Sequence, residues 1–156
     1  MTKRLLIVLI SLILFSINVS AEELTNIEIF DVRKESVVKR IKSDPELQKE
    51  AEGYLKNING VITKFNPIPN NGYMIKIPFD TPVEVENPLL KSFVDEVIII
   101  LPKDETPYLM VFDNKDRALF FTFKGNLDIL LKKLKFSPYL PLSPQKRIYS
   151  SFGNIG

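Results

Sequence analysis

Histidine, cysteine and tryptophan are all missing from these 156 residues, and the first two absences remove whole classes of chemistry. Without imidazole there is no His general base, no Ser-His-Asp triad and no His-rich zinc, copper or haem site. Without thiols there is no cysteine nucleophile, no Cys-ligated metal, no iron–sulfur cluster and no disulfide. Glycine is scarce, at six residues, and no Gly-rich phosphate-cradling loop occurs. What remains is carboxylate chemistry, Ser-Lys chemistry, an oxygen-ligated calcium site, or binding without chemistry. No cofactor and no metal are expected.

The first 21 residues carry the plainest signal. Lys3 and Arg4 precede an apolar core, Leu5 to Ile10 and Leu12 to Phe15, that closes on Val19-Ser20-Ala21. A cationic end, an apolar stretch and a small-residue site are the three parts of a secretory signal, so cleavage after Ala21 and an extracytoplasmic location are expected. The alternative is an uncleaved anchor, the one route to membrane contact. Leu5 to Val19 is only 15 residues, diluted by Ser11, Ser16 and Asn18, against the roughly 20 that a spanning helix needs. Lipid attachment through a lipobox is excluded by the absence of cysteine.

Removal of residues 1–21 takes away Lys3 and Arg4 and no acid, leaving 19 basic against 19 acidic residues. A neutral mature chain has no long-range field to draw it onto nucleic acid. Its 135 residues suffice for one core held by packing alone, and a cysteine-free exported domain fits bacterial export better than a disulfide-stapled scaffold.

Periodicity predicts an α+β domain over residues 22–135. Ile27, Ile29 and Asp31 alternate with Glu28, Phe30 and Val32 as a short strand or arm, and Val37, Val38 and Ile41 fall at helical spacing. A stronger helix follows over residues 45–58. Asp44 is its N-cap, Pro45 its first residue, Gly60 its terminator, and Leu47, Ala51, Tyr54, Leu55 and Ile58 form one apolar stripe.

Strand patterns then succeed one another. Val61 to Phe65, Tyr73 to Phe79 and Val83 to Glu86 each have one wet face, and Pro78 places the second at an edge or a strand end. Val94 to Leu101, Tyr108 to Phe112 and Ala118 to Phe123 are apolar almost throughout, with short loops between them, as in an antiparallel meander covered on both faces. A final helix begins at the N-cap Asn126 and buries Leu127, Leu130, Leu131 and Leu134. The expected architecture is an antiparallel sheet of about five strands with an N-terminal helical segment and a C-terminal helix packed on it. The second cover is the 45–58 helix, the N-terminal arm, or another copy of the chain.

Residues 136–156 form a proline-containing tail. Pro138, Pro141 and Pro144 recur at the three-residue period of polyproline II, and a strap laying Tyr139 and Leu140 across the domain is the plainest reading.

Chemical candidates are few. Asp113, Asn114 and Asp116 crowd one turn without the EF-hand spacing, and hairpin turns prefer the same residues. Asp95 and Glu96 are neighbours on a strand, so one of them is expected to face a covered side. Ser36-Val37-Val38-Lys39 and Ser143-Pro144-Gln145-Lys146 match S-x-x-K, but S-D-N and K-T-G are missing. Lys132, Lys133 and Lys135 complement the last helix's dipole, and Asp128 to Lys132 is an i, i+4 pair.

Four strings, Lys64-Phe65-Asn66-Pro67-Ile68-Pro69, Gly72 to Pro78, Val94 to Ile100 and Phe120-Phe121-Thr122-Phe123-Lys124-Gly125, resemble a group of small exported proteins of Bacillus-type bacteria over roughly residues 45–135. The resemblance implies export from a Gram-positive cell and carries no activity, ligand or catalytic residue with it.

Sparse catalytic vocabulary and abundant apolar strand surface point to a non-catalytic module that binds a protein or cell-envelope component. Tyr73, Tyr108, Phe120 and Tyr139 are its candidate contacts. The alternative is a carboxylate-dependent hydrolase of wall glycan, in which Asp95 or Glu96 would face Asp113 or Asp116 across a cleft.

Overall fold

Seven antiparallel strands and two helices build residues 26–138, the part of the chain that the computed structural model describes. The signal segment, Tyr139 and the Ser143-x-x-Lys146 motif lie outside the described residues. In chain order the elements are β1 (Asn26–Asp31), β2 (Ser36–Lys42), α1 (Pro45–Lys56), β3 (Ile58–Val61), β4 (Gly72–Asn87), β5 (Leu90–Pro102), β6 (Tyr108–Phe112), β7 (Ala118–Phe123) and α2 (Leu127–Lys133). All strands join one sheet in the order β2-β1-β4-β5-β6-β7-β3. The class is α+β as expected, and the expected meander is β5-β6-β7.

Helix α1 starts where its cap chemistry dictates. Asp44 Oδ1 accepts from the Glu46 and Leu47 backbone N–H groups, both at 2.9 Å, a cap that contributes about 1 kcal/mol. Pro45 follows in the first turn, and Leu47, Ala51, Tyr54 and Leu55 are buried. The helix ends at Asn57 rather than running on toward Gly60, because β3 begins at Ile58. Gly60 serves the sheet instead, since a Cβ there would lie 2.5 Å from Thr122 Oγ1. Helix α2 is capped by Asn126, whose Oδ1 accepts from Asp128 N at 2.8 Å.

Both helices lie on the same face of the sheet. Leu47, Ala51, Tyr54 and Leu55 of α1 and Leu130 of α2 with Leu134 after it share one core with Ile27, Ile29, Ile75, Ile77, Val97, Ile99, Leu109, Val111 and Phe121. These strand residues sit at alternate positions, so they belong to one side of the pleat. The distal half of the β4–β5 hairpin adds Val85, Leu90 and Val94 to that core. It runs beside α1, where Gln48 Oε1 accepts from Asp80 N at 3.1 Å and Asn87 Nδ2 donates to Ile58 O at 2.9 Å. On the other flank α2 is tied to α1 by Lys133 Nζ to Glu46 Oε2 at 3.1 Å and by Tyr54 OH to Asn126 O at 3.1 Å.

Four differences from the expected layout have physical causes. First, residues 36–42 form β2 rather than a helix, because pairing with β1 satisfies the backbone and Val37, Val38 and Ile41 are β-branched. Second, the stretches 73–79 and 83–86 are one continuous strand. Pro78 lies within β4 but past the β1–β4 ladder, which ends at Lys76, and immediately before the register break between Pro78 and Val83, so its missing N–H falls where the strand is locally an edge and irregular. Third, the strand expected at 61–65 is shorter and earlier, at 58–61, and residues 64–70 leave the sheet. Fourth, the sheet therefore has seven strands among the described residues instead of about five. Its edge β2 carries Lys39, Arg40 and Lys42, charges that discourage edge-to-edge pairing, and its other edge β3 is only four residues long.

Candidate functional site

The face of the sheet turned away from both helices carries a second apolar cluster. Phe30, Met74, Ile100 and Tyr108 stand side by side across β1, β4, β5 and β6, and Lys76, Ile98, Met110 and Phe120 form the next row across β4 to β7. At the usual strand spacing each four-residue row spans roughly 14 Å. Ile100, Tyr108 and Met110 are buried, while Met74, Ile98, Phe120 and Ile62 are half-buried. Among the described residues no helix covers this face.

Its partial cover is the segment between β3 and β4. The Tyr108 hydroxyl donates to Pro67 O, and the Lys64 ammonium sits 5.7 Å from the Tyr108 ring centroid while pairing with Glu105. Burial, and then the Glu105 carboxylate, raise the Tyr108 ionisation above its ordinary value, so the hydroxyl stays a donor. Beside this anchored portion Phe65 is 98 % exposed and Ile68 also reaches solvent. A phenylalanine left in water forgoes roughly 2–3 kcal/mol of burial. Nothing in the fold requires it.

At the β1 end the apolar rows give way to charge. Glu28 lies between Lys76 Nζ at 3.0 Å and Arg40 Nε at 2.8 Å, a ladder across three strands. Burial alone would raise the Glu28 carboxyl, but the hydrogen bonds and charges of Lys76 and Arg40 outweigh it and hold the group below its ordinary value. The apolar surface thus has a defined, charged border.

The aromatic candidates do not form one site. Tyr108 and Phe120 share the helix-free face. Tyr73 is half-buried on the opposite side, where its ring meets Phe136 edge-on at 5.0 Å. Phe65, Ile98 and Met74 were not singled out by sequence pattern. The sequence places Phe65 at the end of an expected strand, and only the fold shows that the strand stops at Val61 and that no core residue receives the ring.

The acidic candidates are separated by element. Asp95 is exposed and Glu96 half-buried, because β5 changes parity there: Val94 and Val97 are both buried three residues apart, so neither acid is driven into the core. Asp113 organises the β6–β7 turn. Its Oδ1 accepts from the Lys115 and Arg117 N–H groups at 2.9 and 3.0 Å, and its Oδ2 binds Arg117 Nε at 2.8 Å. Those bonds, Arg117 above all, hold its carboxyl down at about 2. Asp116 takes a left-handed φ of 56° in the same turn. Among the described residues no group of three or more acids could hold a metal ion.

The Ser36-x-x-Lys39 motif lies on β2, where extended backbone separates the two positions by roughly 10 Å. Lys39 Nζ donates instead to Leu134 O at 2.8 Å and Lys135 O at 2.9 Å. It closes the C-terminal end of α2, and its partners lie 95 and 96 residues away in sequence.

One larger depression lies on the other side of the molecule. It is a groove of about 580 Å³ between α1 and α2, lined by Glu46, Glu50, Gly53, Asn57, Asn126 and Ile129 among others. None of Asp95, Glu96, Asp113 and Asp116 lines it. Glu46 and Glu50 are one turn apart on the same helix, so they stand side by side rather than across the groove. Among the described residues no helix is long and apolar enough to cross a membrane. Comparison of the chain with protein-family models, curated proteins and solved structures returned no match.

Proposed function

We propose that this chain is an exported, non-catalytic binding module of a Gram-positive cell, and that it takes a protein partner of the cell envelope on its helix-free sheet face. One observation carries the reading: the face presents Met74, Ile98 and Phe120 in contiguous rows, and the loop beside them holds Phe65 almost wholly in water. Half-buried apolar side chains beside a wholly exposed phenylalanine, inside a polar border, offer a partner an apolar anchor point. The small chemical vocabulary agrees, since the chain contains neither histidine nor cysteine.

Phe65→Ser and Ile98→Glu test this. Phe65 touches too little to support the fold, so its variant melts with the native protein. Retention of envelope protein by the immobilised chain falls roughly tenfold or more in either variant, as expected for loss of one apolar anchor. Native-level retention by both variants overturns the reading.

A further inference from the structure

The α1–α2 groove offers a second site, independent of the sheet face. Along the flank of α1 that turns toward α2, Glu46, Glu50, Gly53 and Asn57 succeed one another at i, i+4, i+7 and i+11. Gly53 is the anomaly among them. Glycine in a helix interior is destabilising relative to alanine, and a Cβ built at Gly53 meets no heavy atom within 4 Å. The neighbouring glycines have reasons that Gly53 lacks: a Cβ at Gly125 would strike the Tyr54 ring at 2.7 Å, and one at Gly60 would strike Thr122. Nothing in the packing asks for a missing side chain at 53. The position opens the groove down to the helix backbone.

Exposed hydrogen-bonding groups surround that opening. Asn57 Nδ2 donates to Gly53 O at 2.8 Å, which orients the amide and leaves Oδ1 as an acceptor facing solvent. Across the groove Asn126 Oδ1 caps α2, and its Nδ2 remains a donor in the same sense. The charges that line the groove nearly cancel, with Lys133 already paired to Glu46. Such a site suits neither a strong anion nor a strong cation. An oriented acceptor, an oriented donor and an uncharged backbone floor match a ligand whose groups both give and take hydrogen bonds. The volume of about 580 Å³ lies within the roughly 300–1,000 Å³ of small-ligand sites.

We propose that this groove binds a neutral oligosaccharide, with Gly53 kept bare so that a sugar ring lies against the α1 backbone while Asn57 Oδ1 and Asn126 Nδ2 hold its hydroxyls. The test titrates the ¹⁵N-labelled full chain with tetra-N-acetylglucosamine, with a glucose tetrasaccharide and with inorganic phosphate. Either saccharide produces saturable shifts at the amides of Gly53, Asn57, Gly125 and Asn126, and phosphate does not. Gly53→Ala then melts roughly 3–6 °C higher, yet binds the saccharide about tenfold more weakly. Absence of saturable shifts with both saccharides at millimolar concentration overturns the proposal, as does native affinity in Gly53→Ala. Saturable shifts with phosphate at the same amides reassign the groove to anions and overturn it too. None of these results touches the sheet-face reading, whose probes lie on the opposite side of the sheet.

Discussion

Replacing Lys39 by methionine removes one ammonium group and keeps most of the apolar stem, so it isolates the contact that joins edge strand β2 to the end of α2. Two bonds are lost, to Leu134 O at 2.8 Å and Lys135 O at 2.9 Å, the first half-buried and the second exposed. Hydrogen bonds from charged donors net about 1.5–3 kcal/mol when sheltered and less in solvent. The cation also sits at the negative end of a helix, where it is worth a further 0.3–1 kcal/mol or so. One donor shared between two partly wet acceptors gives an expected loss of about 2 kcal/mol. For a domain of this size the melting temperature falls by roughly 6–10 °C. Urea unfolding followed by far-ultraviolet circular dichroism measures the loss, since the chain has no tryptophan to report by fluorescence. The m-value stays unchanged, because no additional surface is exposed on unfolding. Amide exchange quickens first around residues 130–136. Ser36→Ala, on an exposed residue, stays within about 0.5 kcal/mol of the native protein. A Lys39→Met loss below about 0.5 kcal/mol refutes the clip, and an equal loss in Ser36→Ala points to a coupled Ser-Lys pair instead.

Gly72→Ala strains β4 where it can least relax. Gly72 has φ +140°, and a Cβ would lie 2.2 Å from Leu101 O and 2.9 Å from Pro102 Cα, both in the backbone of paired strand β5. Strain and overpacking together cost about 3 kcal/mol, which urea titration reads directly; an equally stable variant contradicts the geometry. Asp113 supplies a pH dependence of known sign. Its folded value of about 2 lies below the roughly 3.9 of an unfolded aspartate, so its stabilisation is fully present above about pH 4–5 and is lost as the pH falls toward 2. Asp113→Asn flattens that part of the stability profile, and an unchanged profile contradicts the Arg117 pairing. Tyr108→Phe frees the Pro67 carbonyl and costs about 1 kcal/mol, and faster amide exchange across residues 62–68 is the accompanying sign.

Elements whose local chemistry agrees with their tertiary role were legible from the chain. Asp44-Pro45 and Asn126 mark the helix starts, and the apolar runs 108–112 and 118–123 coincide with β6 and β7. Legibility failed where pairing decides. Val37, Val38 and Ile41 fit a helical stripe as well as a strand, and only the β1 register selects the strand. Asp95 and Glu96 looked obliged to split across the sheet, because alternation was carried through the parity change near β5 residue 95. Apolar runs led to the expectation of cover on both faces, but a run does not say which face receives the helices. Both took the same one, and the other is left to the 62–70 segment and Phe65. Gly53 is invisible as a site residue without coordinates, since only the empty space around its Cβ position separates it from the packed glycines.

The most direct test of the sheet face as the docking surface is a photo-crosslinking contrast in exporting cells. A photoreactive phenylalanine replaces Phe120 or Phe65 on one side, and Glu52, on α1 and outside the α1–α2 groove, on the other. The account predicts one discrete protein adduct shared by positions 120 and 65 and lacking at 52. Adducts equal at all three positions, or none at 120 and 65, would contradict it.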